Sequence, residues 1–137
     1  MPRLILYTDG AARGNPGPAA IGIVLTDAQG KEIEAFGEVL GKTTNNEAEY
    51  RALLRGVQRA LAHHADEIEI RTDSELMARQ LDGTYRVKAA NLKPLHTQAQ
   101  RALSRFAHMS IRHVPREQNR RADALANQAL DRKPQTV

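Results

Sequence analysis

The first forty residues hold three β-prone runs separated by turn chemistry, and this pattern limits the fold more than any other feature of the chain. Leu4 to Thr8 is a short apolar run. The cluster Gly14-Asn15-Pro16-Gly17-Pro18 separates it from a second run, Ala20 to Thr26. Asp27-Ala28-Gln29-Gly30 again has turn chemistry, and Lys31 to Leu40 reads as a third strand. Runs joined this closely pair antiparallel, so a three-stranded meander is expected.

The hydrophobic period then changes. Thr43-Thr44-Asn45-Asn46 offers capping oxygens, and Leu53, Val57, Ala60 and Leu61 follow at helical spacing. Glu67 to Thr72 alternates around Ile68 and Ile70 as a strand does, and Ser74 to Leu81 reads as a short helix stopped by Asp82-Gly83. Leu92 to Phe106 carries a stripe of Leu92, Leu95, Ala99, Ala102, Leu103 and Phe106. Met109 to Val114 is a fifth strand, and Asn119 to Leu130 a last helix with Ala122, Leu125, Ala126 and Ala129 facing inward. The order β-β-β-α-β-α-α-β-α predicts an α/β fold, a mixed five-stranded sheet with helices on both faces. A chain of 137 residues suits one domain with a sizeable core. That domain is expected over 1–131. The stretch 132–137, without an apolar residue until Val137, reads as a flexible tail.

Composition narrows the chemistry. There is no cysteine, which excludes disulfides, thiolate metal sites, iron–sulfur clusters and a cysteine nucleophile. The balance of 41% hydrophobic and 26% charged residues is globular rather than disordered. The apolar run at Leu4-Ile5-Leu6-Tyr7 is too short for a signal-peptide core or a membrane span, so a cytoplasmic protein without a membrane partner is expected. His63, His64, His96 and His108 lack zinc-ligand spacing and read as surface or packing residues.

Four acids stand where a purely structural sequence would not choose them. Asp9 follows the first strand in phase with Ile5 and Tyr7. Glu49 lies in the first turn of the first helix, on the same stripe as Leu53. Asp73 joins the fourth strand to the next helix, and Asp123 lies in the first turn of the last helix. Each has a structural alternative, as a turn opener, an N-cap or a partner of the helix dipole. Together, however, strand ends and helix starts meet on one edge of an α/β sheet, where ligand sites form. Four carboxylates gathered there would repel unless cations held them. Oxygen ligands alone point to a hard cation, Mg²⁺ with Mn²⁺ able to substitute. Two such ions would activate water and stabilise a leaving oxygen in phosphodiester cleavage. Apart from these four acids, 20 basic residues face 12 acidic ones, a surplus that suits a phosphate backbone.

The blocks around these acids resemble type 1 ribonuclease H. Tyr7-Thr8-Asp9-Gly10-Ala11-Ala12-Arg13-Gly14-Asn15-Pro16-Gly17-Pro18 is similar to the family's opening signature, and Thr43-Thr44-Asn45-Asn46-Glu47-Ala48-Glu49 to its second block. Thr72-Asp73-Ser74 and Asn119-Arg120-Arg121-Ala122-Asp123-Ala124-Leu125-Ala126 resemble the third and fourth. The resemblance implies an endonuclease that cuts the RNA strand of RNA–DNA hybrids, leaves 5′-phosphate and 3′-hydroxyl ends, and serves primer and R-loop removal. It makes Asp9, Glu49, Asp73 and Asp123 the ligands of two ions. It also implies that Gly10, Gly14, Asn15, Asn45 and Glu75 track the 2′-hydroxyls that distinguish RNA from DNA. Thr44, Asn45 and Asn46, at a helix N-terminus, match the family's grip on a DNA-strand phosphate.

The sequence departs from the best-studied bacterial members in two places. Their basic, Trp-rich insertion is reduced here to 82–91, in a chain without Trp. Arg86, Lys88 and Lys93, with Tyr85 as a sugar-packing aromatic, are expected to replace part of it. Their mobile-loop histidine is also missing. The connection is Pro115-Arg116-Glu117-Gln118, where Arg116 or Glu117 could assist, and His113 reads as a core-edge residue. The shortened loop resembles a compact subgroup whose members also cut RNA–RNA duplexes, so double-stranded RNA joins the expected partners of a monomeric enzyme. A catalytically silent hybrid-binding module gains nothing from concentrating four acids beside a polyanion. A transposase- or integrase-like nuclease of the same fold lacks an acid equivalent to Glu49. An actin-like ATPase needs a second lobe that 137 residues cannot supply.

Overall fold

Each strand of the meander runs longer than its apolar core. The computed structural model describes residues 3–132. In it β1 spans Arg3–Ala12, β2 Gly17–Asp27 and β3 Glu32–Thr43. The antiparallel β1–β2 ladder extends from Leu4 opposite Asp27 to Ala12 opposite Ala19. Residues with turn chemistry are therefore drawn into the sheet, because the partner strand satisfies backbone groups whatever side chains they carry. Asp9, expected just after the strand, lies inside it opposite Gly22. The remaining elements are α1 (Asn45–Ala62), β4 (Glu67–Thr72), α2 (Glu75–Leu81), α3 (Lys93–Leu103), β5 (His108–His113), a 3-10 turn at Arg116–Gln118, and α4 (Arg120–Asp131). The strand order is β3-β2-β1-β4-β5, with β4 parallel to both β1 and β5. This is the mixed five-stranded sheet that the element order predicts.

Two expectations need correction. The third helix stops at Leu103, short of Phe106, and starts at Lys93. Leu92 and Phe106 are nonetheless buried, so the apolar stripe reported burial rather than helix length. His113 is exposed at the end of β5, not at the edge of the core. Of the tail expected over 132–137, Arg132 caps α4 and is exposed, and 133–137 lie outside the described residues.

The helices divide unequally over the sheet. Leu4, Leu6, Ile68 and Ile70 face one side and share a core with Leu53 and Val57 of α1, Leu81 of α2 and Leu103 of α3. On the other side α4 packs chiefly on β2, β3 and β1. Both coverings depend on glycine at the crossing points. A Cβ on Gly10 would overlap the α1 backbone at Ala48 and Glu49. One on Gly22 would overlap the Ala122 carbonyl of α4. The sheet thus holds one helix tightly on each face, close to where the acids lie. Gly22→Ala should destabilise the protein by about 1–3 kcal/mol by forcing α4 outward. A lower urea midpoint at unchanged m-value would register this.

Candidate active site

The close approach of α1 and α4 to β1 gathers the acids at one edge of the sheet. Oxygens of Asp9, Glu49 and Asp73 lie within 4.8 Å of one another. Asp123 lines the same cleft of about 380 Å³, together with Gly10, Asn45, Arg116 and Asn127, and its carboxyl meets that of Asp9. All four acids selected from the sequence converge, three in a tight cluster and Asp123 beside Asp9.

The structural duties that could have explained these acids belong to other residues. Thr44 caps α1 by accepting from the Glu47 amide at 3.2 Å. Ser74, not Asp73, caps α2 by accepting from the Met77 amide at 3.2 Å. Glu49 lies a full turn inside α1 rather than in its first turn, beyond a capping position. Its Oε1 accepts from the Gly10 amide at 2.9 Å, which ties it to the strand beside Asp9.

Burial and mutual charge both disfavour ionisation at the centre of the cluster. Asp9 and Glu49 are each only 5% exposed. Burial, reinforced by Glu49, Asp73 and Asp123, raises the Asp9 pKa to about 9. Burial also raises Glu49 to about 8, against the pull of the Gly10 amide and the Arg116 guanidinium. A positive charge placed among these oxygens would lower both values. A cluster of carboxylate oxygens, with no imidazole or sulfur among them, fits a hard divalent cation.

The expected substrate contacts fall into two groups. Asn15 Oδ1 accepts from the Asn45 amide at 3.0 Å, joining the turn after β1 to the start of α1 beside the cleft. Gly14, Asn45 and Asn46 are exposed there. Glu75 is also exposed, in an ion pair with Arg79 at 3.5 Å. Arg86, Lys88 and Lys93 are exposed away from the acids, with Arg86 and Lys93 around a shallow pocket that includes Tyr85. The Arg79 guanidinium already lies over the Tyr85 ring, 5.9 Å from its centre. Of the two loop residues, Arg116 lines the cleft and Glu117 does not.

Two residues escaped the sequence reading. Asn119 is fully buried and donates from Nδ2 to the Thr8 carbonyl at 2.9 Å, fastening the start of α4 to β1 one residue before Asp9. Asn127 donates from Nδ2 to Asp123 Oδ1 at 3.2 Å. The second was legible as an i,i+4 pair on a helix. The first was not, because its partner is a backbone carbonyl 111 residues away.

A family of reverse transcriptase-like proteins matches residues 7–129. Ribonuclease HI of Halobacterium salinarum is 46% identical over 129 residues, which cover 94% of this chain and 65% of that one. The chain belongs to the type 1 ribonuclease H family. A bifunctional protein of Mycobacterium tuberculosis is 38% identical over 98% of this chain but only 37% of its own length. The chain thus spans less than two thirds of these two relatives. The crystal structure of RNase H1 from Halobacterium salinarum matches with a TM-score of 0.93 at 45% identity, over 96% of this chain and 99% of that one. LC11-RNase H1, solved in complex with an RNA/DNA hybrid, matches at 0.88 and 44% identity, over 93% and 96%. Among the described residues no helix is long and apolar enough to cross a membrane.

Replacing Asp9 by Asn keeps its shape and removes its charge. The native Asp9 pKa lies above its unfolded value, so native protein binds more protons and loses stability as pH rises between the two. Asp9→Asn should therefore stabilise the metal-free protein by ~2 kcal/mol at neutral pH. The difference from wild type should be small near pH 4, grow with pH and level off above about 9. Millimolar Mg²⁺ should shrink it. Thermal melts across pH, with and without Mg²⁺, measure all three.

Proposed function

We propose that this chain is a Mg²⁺-dependent endonuclease that hydrolyses the RNA strand of RNA–DNA hybrids to 5′-phosphate and 3′-hydroxyl products. The observation that carries the reading is the cluster of Asp9, Glu49 and Asp73, with Asp123 in the same cleft. Two of these acids are buried at a cost that only a cation or a proton offsets. A relative solved with an RNA/DNA hybrid supports the choice of substrate.

Asp9 and Asp73 are the central ligands in this reading, Glu49 holds one ion and orients the water, and Asp123 completes a second site. The chemistry supplied by two bound ions is activation of water and stabilisation of charge at the scissile phosphate. The Gly10 amide fixes Glu49, and Asn127 does the same for Asp123. Arg116, aimed into the cleft, takes the position left by the missing loop histidine and meets the charge of the scissile phosphate.

Gly10, Gly14, Asn15, Asn45 and Glu75 read the 2′-hydroxyls of the RNA. Thr44, Asn45 and Asn46 hold a phosphate of the DNA strand at the start of α1, whose free amides favour an anion. Arg86, Lys88 and Lys93 extend that grip. The short 82–91 loop places few side chains against the second strand, which favours some cutting of RNA–RNA duplexes as well. Primer and R-loop removal by a cytoplasmic monomer is the role that fits these activities.

An end-labelled hybrid incubated with Mg²⁺ or Mn²⁺ tests the activity, beside all-RNA and all-DNA duplexes. Metal-dependent cutting of the RNA strand is expected, falling by at least about 10³-fold in Asp73→Asn. Uncut hybrid in both metals, with binding retained, would make the chain a binding module instead. Changing Arg86, Lys88 and Lys93 together to Ala should weaken hybrid binding and lower the salt slope by roughly 2–3. An unchanged slope would remove those three residues from the interface.

A further inference from the structure

Among the described residues no helix packs extensively on the α4 side of β4 and β5, and that side carries an organised cluster of charge that the four acids do not explain. Tyr7, Arg71 and Arg112 are paired across β1, β4 and β5 in one row of the sheet. This row lies two residues behind Asp9 and, by strand alternation, on the same face of β1, with Asp73 just past the end of β4. Glu69 sits in the row below, and Arg3 comes up from the start of β1. Arg71 Nε donates to Glu69 Oε2 at 2.6 Å, and its Nη1 donates to the Tyr7 hydroxyl at 2.6 Å. Its guanidinium lies 5.4 Å from the Tyr7 ring centre. Arg3 Nη2 donates to Glu69 Oε1 at 2.5 Å, and Arg112 Nη1 stands 3.7 Å from Glu69 Oε2.

One buried carboxylate thus serves three guanidiniums. Glu69 is satisfied by Arg71 and Arg3 alone, and Arg112, with its side chain 63% exposed, is surplus to that pairing. Glu67 and His108 occupy the row beside Arg3, further from the acids. No exposed large apolar side chain lies on this face, because the exposed ones among the described residues are Ile33, Val39, Leu76 and Tyr85. A protein partner has nothing apolar to bury here. A polyanion has guanidiniums that are held in place by their neighbours and still carry unused donors.

We propose that Arg112, with Arg71 beside it, binds a backbone phosphate of the cleaved strand adjacent to the scissile one. This rests on the hybrid-nuclease reading above. Two residues along a strand span about 6.6 Å, on the order of one nucleotide step, so a strand lying over Asp9 and Asp73 delivers its next phosphate to this row. The Tyr7 and Glu69 contacts hold Arg71 rigid, and Arg112 supplies the mobile, solvent-facing half of the grip.

The test compares wild type with Arg112→Ala, Arg112→Glu and Arg112→Lys. It uses a long hybrid and two shortened hybrids in which the RNA ends close to the cut on one side or on the other. With the long hybrid, Arg112→Ala should raise KM roughly threefold to tenfold with kcat within about twofold, and lower the salt slope by about 1. Arg112→Glu should do more, and Arg112→Lys should recover most of the loss. On one of the two shortened hybrids the Ala effect should vanish, because the phosphate in question is absent. An unchanged KM and salt slope on the long hybrid overturns the proposal. So does an equal loss on both shortened hybrids, which would indicate damage to the fold. Wild type that cuts no hybrid overturns the activity and this site together. Wild type that cuts while Arg112 is silent overturns the site alone.

Discussion

Repulsion among buried carboxylates is the interaction around which this molecule is arranged. Asp9 and Glu49 are almost without solvent, and Asp73 lies within 4.8 Å of both. In water such acids would separate. Here β1 is pinned by strands on both sides, and α1 and α4 are pressed onto opposite faces of the sheet, so none of the acids can withdraw. Burial first, and this opposition second, raise the proton affinity of Asp9 and Glu49, and a bound cation would offset both. Stability and activity therefore pull in opposite directions at one spot, as expected of a metal-dependent active site.

The packing that enforces this proximity is made of small residues and long-range polar ties. Gly10 lets α1 reach the strand, and Gly22 does the same for α4. Asn119 then fastens the start of α4 to the Thr8 carbonyl, and the Gly10 amide holds Glu49. These contacts join residues far apart in the chain, so the acids keep their spacing only while the whole sheet is intact. Charge elsewhere is organised with the same economy. Lys and Arg outnumber acids, yet most of the arginines on the sheet and α1 are held by carboxylates, as Arg55 is by Glu38 and Arg59 by Glu34. Arg112 and Arg116 stand out because they point outward next to the acids with donors to spare.

Much of the fold was legible because alternation and helical periodicity are local. β4 spans Glu67–Thr72 as predicted, and α2 and α4 begin within one residue of their expected starts. Boundaries failed where a partner overrode local chemistry. β1 runs on through Asp9 to Ala12, since the ladder with β2 satisfies its backbone. Leu92 and Phe106 are buried outside the helix their stripe suggested. His113 looked like a core-edge residue, but it is the last residue of β5, in phase with Ile111 yet exposed past the edge of the core.

The sequence by itself determined which residues could do chemistry. Four acids near strand ends and helix starts, no cysteine, and a basic remainder are what the expectation of a hard-cation site facing a polyanion rests on, and these are matters of residue type and local phase. Only the tertiary structure decided how the acids share the work. It buried Asp9 and Glu49 and gave the capping of α2 to Ser74. It brought Arg116 rather than Glu117 into the cleft and set Arg71 and Arg112 side by side in one row of the sheet. Burial and charge coupling depend on what lies across the sheet, often a hundred residues away, and no local pattern carries that distance.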